Sequence, residues 1–273
     1  MFFSLRFFLF LLVAFCHCFY LCEAKITYTP SIQSIVDRGY LVIGICKIDQ
    51  PPFYAHDTEG QLKGYDIDIA KGLADGLGVK LKIDDSAKNW DDLIPLLLEE
   101  KIDLAISFLS KTIERSKSIL FSQSYAKINQ ALLVNRLRLS QAKIKGLNTL
   151  EKIFSKNTQE ELIVYEGSSY VKFAQDLFGN DVKLAPYKNQ DEIIKKLLNG
   201  NHTAFLTDQL EINNYVDANP ESKLKLLPII LKKNYDLIAI GIPVQNKHLQ
   251  HYVNNYLETQ NIFIELKTKE NKK

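Results

Sequence analysis

The residues best suited to chemistry lie in one stretch, Asp103-Leu104-Ala105-Ile106-Ser107-Phe108-Leu109-Ser110-Lys111-Thr112-Ile113-Glu114-Arg115. Leu104 to Ile106 reads as a buried strand. The polar loop after it leads to Thr112, a residue type that caps helices by accepting a backbone N–H. This spacing places strand-end carbonyls at Ser107 to Leu109, turn amides at Ser110 to Thr112, and the guanidinium of Arg115 one turn inside a new helix. Amides at a helix N-terminus favour an anion, and a planar guanidinium grips a carboxylate through two parallel hydrogen bonds. The chemistry implied is capture of a small carboxylate. The competing account is an arginine solvated on the first turn of a helix.

A second constellation follows in the other half of the chain. The strand-like run Leu162 to Tyr165 leads to Glu166-Gly167-Ser168-Ser169, where two hydroxyl residues open a helix carrying Tyr170, Phe173, Ala174, Leu177 and Phe178. The run Ala204 to Leu206 ends at Thr207-Asp208, which sets a carboxylate acceptor at a strand end. Other reactive residue types have plainer accounts. Asp66 and Asp68 at a helix start match the positive end of its dipole. Cys46 at the end of an apolar run reads as a small buried hydrophobe. His248 and His251 are three apart on a helix but have no third ligand nearby, so no metal and no cofactor are expected.

The elements that must position these residues follow a repeating grammar. Leu41 to Ile45 is a continuous apolar strand, and Asp49-Gln50-Pro51-Pro52-Phe53-Tyr54 is a loop because two prolines forbid helix interior and ladder pairing. Ile67, Ala70, Leu73, Ala74 and Leu77 form one helical face before Gly78; Val79, Leu81 and Ile83 alternate; Trp90, Leu93, Ile94, Leu97 and Leu98 form another face. The second half repeats this pattern: strand Gln130 to Val134, a helix near residues 147–154, strand Leu162 to Tyr165, strand Val182 to Leu184, a helix with Ile193, Ile194, Leu197 and Leu198, and strand Ala204 to Leu206. Leu224 to Leu227 and Leu237 to Ile242 bring the chain back before a last helix, roughly 246–259. Alternating strands and helices predict an α/β fold with largely parallel sheets and right-handed crossovers. Ligands of such sheets bind at the C-terminal strand ends, where the Pro-Phe loop and the Ser107 to Arg115 turn both fall. Phe53 and Trp90 either pack the core or line that site.

In order and spacing, Pro52-Phe53, Gly60, Gly64-Tyr65-Asp66-Ile67-Asp68-Ile69-Ala70, Leu93-Ile94-Pro95, Lys101-Ile102-Asp103, Thr112 with Glu114-Arg115, and Phe121-Ser122 with Tyr125 resemble solute-binding protein family 3, the polar-amino-acid-binding proteins of ABC importers. Weaker likeness continues to about residue 260. The resemblance implies a type II periplasmic-binding-protein fold of two lobes, each a mostly parallel sheet flanked by helices, joined by a two-strand hinge. It implies lobe 1 over 25–134 and 236–273, lobe 2 over 135–235, and no enzymatic activity. It also implies that Arg115 grips the ligand's carboxylate and Asp208 its ammonium.

With 273 residues, 46% hydrophobic, 24% charged and a net charge of +2, the chain carries enough apolar material for a globular fold and no basic surplus for nucleic acid. Arg6, the apolar run Phe7 to Phe15, and Cys22-Glu23-Ala24 read as a signal peptide over 1–24, hence export to the periplasm; lipid attachment at Cys22 is disfavoured by Phe19-Tyr20-Leu21 before it. Cys46 is then the one cysteine left, which forbids an intrachain disulfide.

The function expected is capture of a free amino acid between closing lobes and delivery to the membrane permease subunits of an ABC importer, by a monomer. Arg115 with amides at Ser110, Thr112 and Ser169, next to Ser168, would hold the carboxylate. Asp208 with carbonyls near Ser107 and Phe108 would hold the ammonium. Charge-assisted hydrogen bonds contribute about 1.5–3 kcal/mol each, so four or five of them, less ordering costs, support a dissociation constant of about 1 μM. Trp90, Phe53, Phe108 and Tyr165 as walls favour a neutral or aromatic side chain, while Glu166 keeps a cationic ligand open. The alternatives are an exported dehydratase-like enzyme on the same scaffold, with Glu166 as its general acid, and a ligand sensor not coupled to transport.

Overall fold

The computed structural model describes residues 27–141, 154 and 160–265. Its first elements are α1 (Pro30–Arg38), β1 (Tyr40–Cys46), β2 (Ala55–His56), β3 (Leu62–Lys63), α2 (Tyr65–Gly76), β4 (Lys80–Ala87), α3 (Leu93–Leu98) and β5 (Leu104–Ala105). A 3₁₀ turn (Arg115–Lys117), β6 (Ile119–Phe121), β7 (Ala126–Asn135), α4 (Arg136–Gln141), β8 (Leu162–Tyr165), α5 (Tyr170–Phe178) and β9 (Leu184–Tyr187) follow. The chain continues through α6 (Gln190–Leu198), β10 (Ala204–Asp208), α7 (Gln209–Ala218), a second 3₁₀ turn (Pro220–Leu224), β11 (Leu226–Ile238), β12 (Gly241–Pro243), α8 (Lys247–Thr259) and β13 (Ile264–Glu265).

The strands form two main sheets, which are the cores of two lobes. The first has the order β4-β1-β5-β12-β6, with β1 parallel to both β4 and β5. The apolar run of β1 is covered on both faces. Leu41, Ile43 and Ile45 pack with Ile67 and Leu73 of α2 and with Leu249, Val253 and Leu257 of α8. Cys46 faces the other way, toward Trp90, Leu93 and Leu97. Full burial of each such side chain contributes about 1.5–3 kcal/mol, which is why a continuous apolar strand specifies a sandwiched sheet. The second sheet has the order β11-β7-β10-β8-β9, with β8 parallel to β9 and β10. One face of it packs Ile193, Leu197, Ile212 and Val216, and the other Tyr170 and Ala174.

Antiparallel pairing enters where the chain passes between the sheets. It leaves the first sheet after β6, enters the second as β7, and returns along β11 to β12 in the first. The strands β7 and β11 pair antiparallel from Leu226↔Asn135 to Ile238↔Ala126, with a register shift between Leu231 and Tyr235. The two segments expected over 224–227 and 237–242 are thus mostly one strand of 13 residues. Polar Lys232-Lys233-Asn234 hid it from an apolar-run reading.

Three other expectations are corrected. Thr112 does not open an α-helix: its hydroxyl accepts the Arg115 amide at 3.1 Å, but only a 3₁₀ turn follows. Trp90 precedes its helix, which begins at Leu93. The strand expected at Val182 to Leu184 runs from Leu184 to Tyr187. The helix expected over 147–154 lies outside the described residues apart from Phe154, as does the leader.

Gly64 joins the Pro-Phe loop to α2. The Tyr65 and Asp66 amides donate to the Pro52 and Phe53 carbonyls at 3.1 and 2.8 Å. Gly64 has φ +128°, and a Cβ there would lie 2.3 Å from the Phe53 oxygen. Gly64→Ala is therefore expected to cost about 3 kcal/mol, read as a drop of about 5–10 °C in Tm by calorimetry.

Candidate functional site

A cavity lies between the lobes, walled by Gln50, Trp90, Phe108, Ser110, Tyr165, Ser168, Ser169, Tyr170, Thr207, Asp208, Glu211 and Asp236. Both lobes contribute. From the second, Asp208 ends β10 and is the N-cap of α7, its Oδ1 accepting the Glu211 amide at 2.8 Å. A strand that feeds straight into a helix leaves an acidic cap at the seam, and the helix N-terminus favours its charged form. From the first lobe, Ser110 meets Ser169 across the seam, Oγ to Oγ at 2.8 Å, and donates to Asp236 Oδ2 at 2.5 Å.

The apolar walls are held by hydrogen bonds as well as packing. Trp90 Nε1 donates to the Ser107 carbonyl at 3.1 Å, and its ring meets Tyr165 edge-on at 6.0 Å. Phe108 sits at φ +48°, its amide donating to Asp66 Oδ2 at 2.6 Å and its ring 4.4 Å from Phe53. Asp66 also accepts the Tyr125 hydroxyl at 2.7 Å. It is fully buried, and burial pushes its carboxyl up to about 7. Asp66 stands in the first turn of α2, as its place at a helix start implies, and is also the buried anchor of a wall residue. The reading of Cys46 as a buried hydrophobe holds: burial pushes its thiol up to about 11.

Of the residues singled out by sequence, the cavity brings together Trp90, Phe108, Ser110, Tyr165, Ser168, Ser169 and Asp208. Phe53, Ser107, Thr112 and Arg115 are not on its wall. Phe53 is fully buried against Phe108 and Tyr125. The Ser107 hydroxyl accepts the Cys46 amide and donates to Tyr54, and its carbonyl is taken by Trp90. Arg115 lies directly behind Ser110, donating through Nη1 to the Ser110 carbonyl at 3.1 Å and through Nη2 and Nε to Asp91 Oδ1 at 2.9 and 3.3 Å. Glu166 is exposed beside Lys188 at 3.8 Å and stands outside this cavity.

Sequence reasoning missed Glu211, Asp236 and Tyr170. Glu211 accepts from Tyr165, Thr207 and Gln190. Its one signal was its place three residues after Asp208, in the first turn of α7. Burial raises the carboxyls of Asp208 and Glu211 well above the ordinary range, and the charge of Asp208 adds to the rise at Glu211. Burial likewise pushes Asp236 up to about 7, against the pull of the Ser110 hydrogen bond and the Arg115 charge. Three buried acids on one cavity wall, with the Arg115 guanidinium already facing Asp91, form a site short of positive charge among the described residues.

Closure of the seam depends on backbone contact. The Asp91 amide donates to the Gly167 carbonyl at 3.1 Å, and Asn214 Nδ2 donates to the Pro51 carbonyl at 2.9 Å. Gly167 has φ +66°, and a Cβ there would lie 2.3 Å from Asn89 Oδ1. Only glycine fits both the turn and the approach.

Comparison with known proteins places this geometry in context. Residues 41–262 match the family model of bacterial extracellular solute-binding proteins, family 3. A protein of Neisseria gonorrhoeae named "Probable histidine-binding protein" is 29% identical over 68% of this chain and 66% of its own length. A glutamine-binding protein of Geobacillus stearothermophilus is 31% identical over 72% of this chain and 71% of its own. The arginine-bound form of an arginine-binding protein from T. maritima superposes with a TM-score of 0.68 at 27% identity, covering 84% of this chain and 99% of that one. These relatives are named for binding, although a cyclohexadienyl dehydratase of Pseudomonas aeruginosa is also related, at 26% identity over 70% of this chain and 67% of its own. Matched over most of its length and sharing the two-lobed fold, the chain belongs to the bacterial extracellular solute-binding proteins, family 3.

Proposed function

We propose that this protein captures a free basic amino acid between its lobes in the periplasm and delivers it to the permease subunits of an ABC importer. The observation that carries this reading is the inter-lobe cavity walled by three buried carboxylates, Asp208, Glu211 and Asp236, with no basic side chain on its wall. The aromatic walls by themselves favour a neutral side chain; Glu211 and Asp236 tip the balance toward a ligand bringing more than one positive charge. In this reading Asp208 takes the α-ammonium. Arg115, with amides at Ser110, Thr112 and Ser169, takes the carboxylate by releasing Asp91. Glu211 faces the side-chain cation, and Trp90, Phe108 and Tyr165 flank the methylenes. Residues 1–24 serve as the signal peptide, and lobes over 25–134 with 236–273 and over 135–235 close on the β7–β11 hinge. Ligand bridging both lobes then favours the closed form.

Glu211, a buried carboxyl raised by its surroundings, is also the kind of group a general acid requires, so a dehydratase-like activity is the second reading. Recovery of the bound amino acid unchanged and in stoichiometric amount argues for binding alone; turnover argues for the enzyme.

Four outcomes are expected. In a thermal-shift screen of the twenty amino acids, L-arginine, L-lysine and L-histidine raise Tm by about 5–10 °C at a hundredfold excess over Kd, equivalent to about 2.7 kcal/mol. Larger shifts with neutral aromatic amino acids would restore the neutral-pocket reading. Arg115→Ala weakens binding of the same ligands by more than about 2 kcal/mol, roughly 30-fold by calorimetry on folded protein. Gly167→Ala weakens binding through closure and also lowers the Tm of the free protein by a few degrees, because its φ of +66° strains any other residue; equal affinity would show that the seam does not close on the ligand. Finally, the raised carboxyls hold protons in the folded protein that the unfolded chain has already released. Their contribution to stability is full below pH about 4, the ordinary carboxylate value, and is lost as pH rises to about 7. Free protein is expected to lose Tm over that window, and a basic ligand to bind more tightly at pH 7.5 than at pH 5, because it needs the ionised carboxylates.

A further inference from the structure

Two polar atoms on the cavity wall have no partner. Among the described residues, Asp236 Oδ1 and the Tyr170 hydroxyl are both buried without a hydrogen bond, in residues only 2% and 6% exposed. Leaving such atoms unsatisfied costs about 1–3 kcal/mol each, so their presence side by side on one cavity calls for an account. Neither is needed to build the fold: Asp236 already uses Oδ2 for Ser110, and Tyr170 stands at the first position of α5, where an apolar ring alone would pack.

The sheet register brings them to a third group. Asp208 of β10 stands opposite Gln130 of β7, and Asp236 of β11 stands opposite Ile128 of the same strand. Gln130 and Ile128 are two residues apart on β7, so Asp208 and Asp236 project from the same face, one on each side of it. Strands about 4.8 Å apart, with a rise of about 3.4 Å per residue, set their Cα atoms about 12 Å apart on a flat sheet. Both side chains rise from that face onto the same cavity wall, where a nitrogen between them could donate a hydrogen bond of about 2.8 Å to each. Asp208 is close enough for its charge to raise the proton affinity of Asp236, and Tyr170 feels both of their charges.

We propose that Asp236 and Tyr170 complete, with Asp208, a three-acceptor cage that clasps the primary ammonium of the ligand. The proposal rests on the amino-acid reading above and adds to it the residues that choose the nitrogen. A primary ammonium has three N–H donors in a tetrahedral array, and Asp208, Asp236 Oδ1 and the phenol oxygen offer one acceptor to each. A methylated nitrogen lacks one donor and adds bulk, and a hydroxyl in its place brings no charge. The cage therefore selects ligands with an unsubstituted –NH3⁺. The Ser110 hydroxyl, held on Asp236 Oδ2 and against Ser169, fixes the carboxylate that turns its free oxygen to the cavity.

The test is calorimetric titration of the purified protein with L-arginine, L-lysine, Nα-methyl-L-arginine and the α-hydroxy analogue of arginine, repeated on Asp236→Asn, Tyr170→Phe and Asp208→Asn. Asparagine still accepts from Ser110, and phenylalanine removes only the unpartnered hydroxyl. Wild type is expected to bind the Nα-methyl compound at least tenfold, and the hydroxy analogue about a hundredfold, more weakly than L-arginine. Both Asp236→Asn and Tyr170→Phe weaken L-arginine tenfold or more and shrink its advantage over the hydroxy analogue, while the Tm of ligand-free Tyr170→Phe stays equal or rises. Wild-type affinity in both variants, with binding lost in Asp208→Asn, overturns the cage and leaves the amino-acid reading standing. Equal losses for L-arginine and its hydroxy analogue also overturn it, because they mark a structural role. Wild-type protein that binds neither L-arginine nor L-lysine overturns the reading of the site and the cage together.

Discussion

Desolvation of carboxylates at the seam between the lobes is the constraint on which the rest of the site depends. A buried acid is held against its preference for water only if its surroundings over-determine it. Here the surroundings are a strand–helix junction at Asp208, two hydroxyls and one amide around Glu211 from Tyr165, Thr207 and Gln190, and the Ser110 hydroxyl at Asp236. None of these partners is a cation. The seam therefore stores an unmet electrostatic demand, and the raised carboxyls are its measure. Asp66 shows that burial alone does not make a ligand site: its carboxylate is equally buried, but both oxygens are taken, by Phe108 and Tyr125, and it faces the core.

The hinge strands make that seam possible. Because β7 and β11 run antiparallel through the second sheet and end beside the first, residues on them belong to whichever lobe they reach. Asp236 lies on β11 in the second sheet yet bonds Ser110 of the first lobe, and the Ser110 segment itself bridges to Ile238. Ser169 and Gly167 of the second lobe carry the contacts that meet the first, to Ser110 and to the Asp91 amide. Charge on a hinge strand and contact across the seam form an arrangement in which ligand can couple to closure.

The sequence made the scaffold legible because apolar runs and helical faces are one-dimensional signals. Leu41 to Ile45, the face through Ile67 and Leu73, and the strand ends at Ser107 and Asp208 all follow from spacing. Ser110, Ser169 and Asp208 were legible for the same reason, each marking a turn or a cap. Glu211 and Asp236 were not. Glu211 looks like any acid in a helix's first turn, and only the burial created by Tyr165 and Gln190 from distant elements changes its chemistry. Asp236 follows Lys232-Lys233-Asn234-Tyr235, a polar run that broke the strand pattern, so the pairing with β7 that turns it inward was invisible. Tyr170 read as one more apolar position of α5; that its hydroxyl lacks a partner is a fact of three dimensions.

Arg115 shows how far a residue type can be read while its present partner cannot. The guanidinium is buried, fixed by the Ser110 carbonyl, and turned toward Asp91, a side chain that remains 59% exposed. The cost of desolvating the arginine is thus already met by the fold, but its partner retains most of its hydration. An exposed partner in such a pair contributes little net stability, because it gives up water to gain a screened contact. A ligand carboxylate confined in the closed seam has no competing water, so the exchange of Asp91 for that carboxylate runs from a half-solvated pair to a desolvated one. Asp91 also donates its amide to the Gly167 carbonyl, so the residue that releases the arginine is the residue that ties the lobes together. On the proposed reading, ligand capture and closure are linked through this one position.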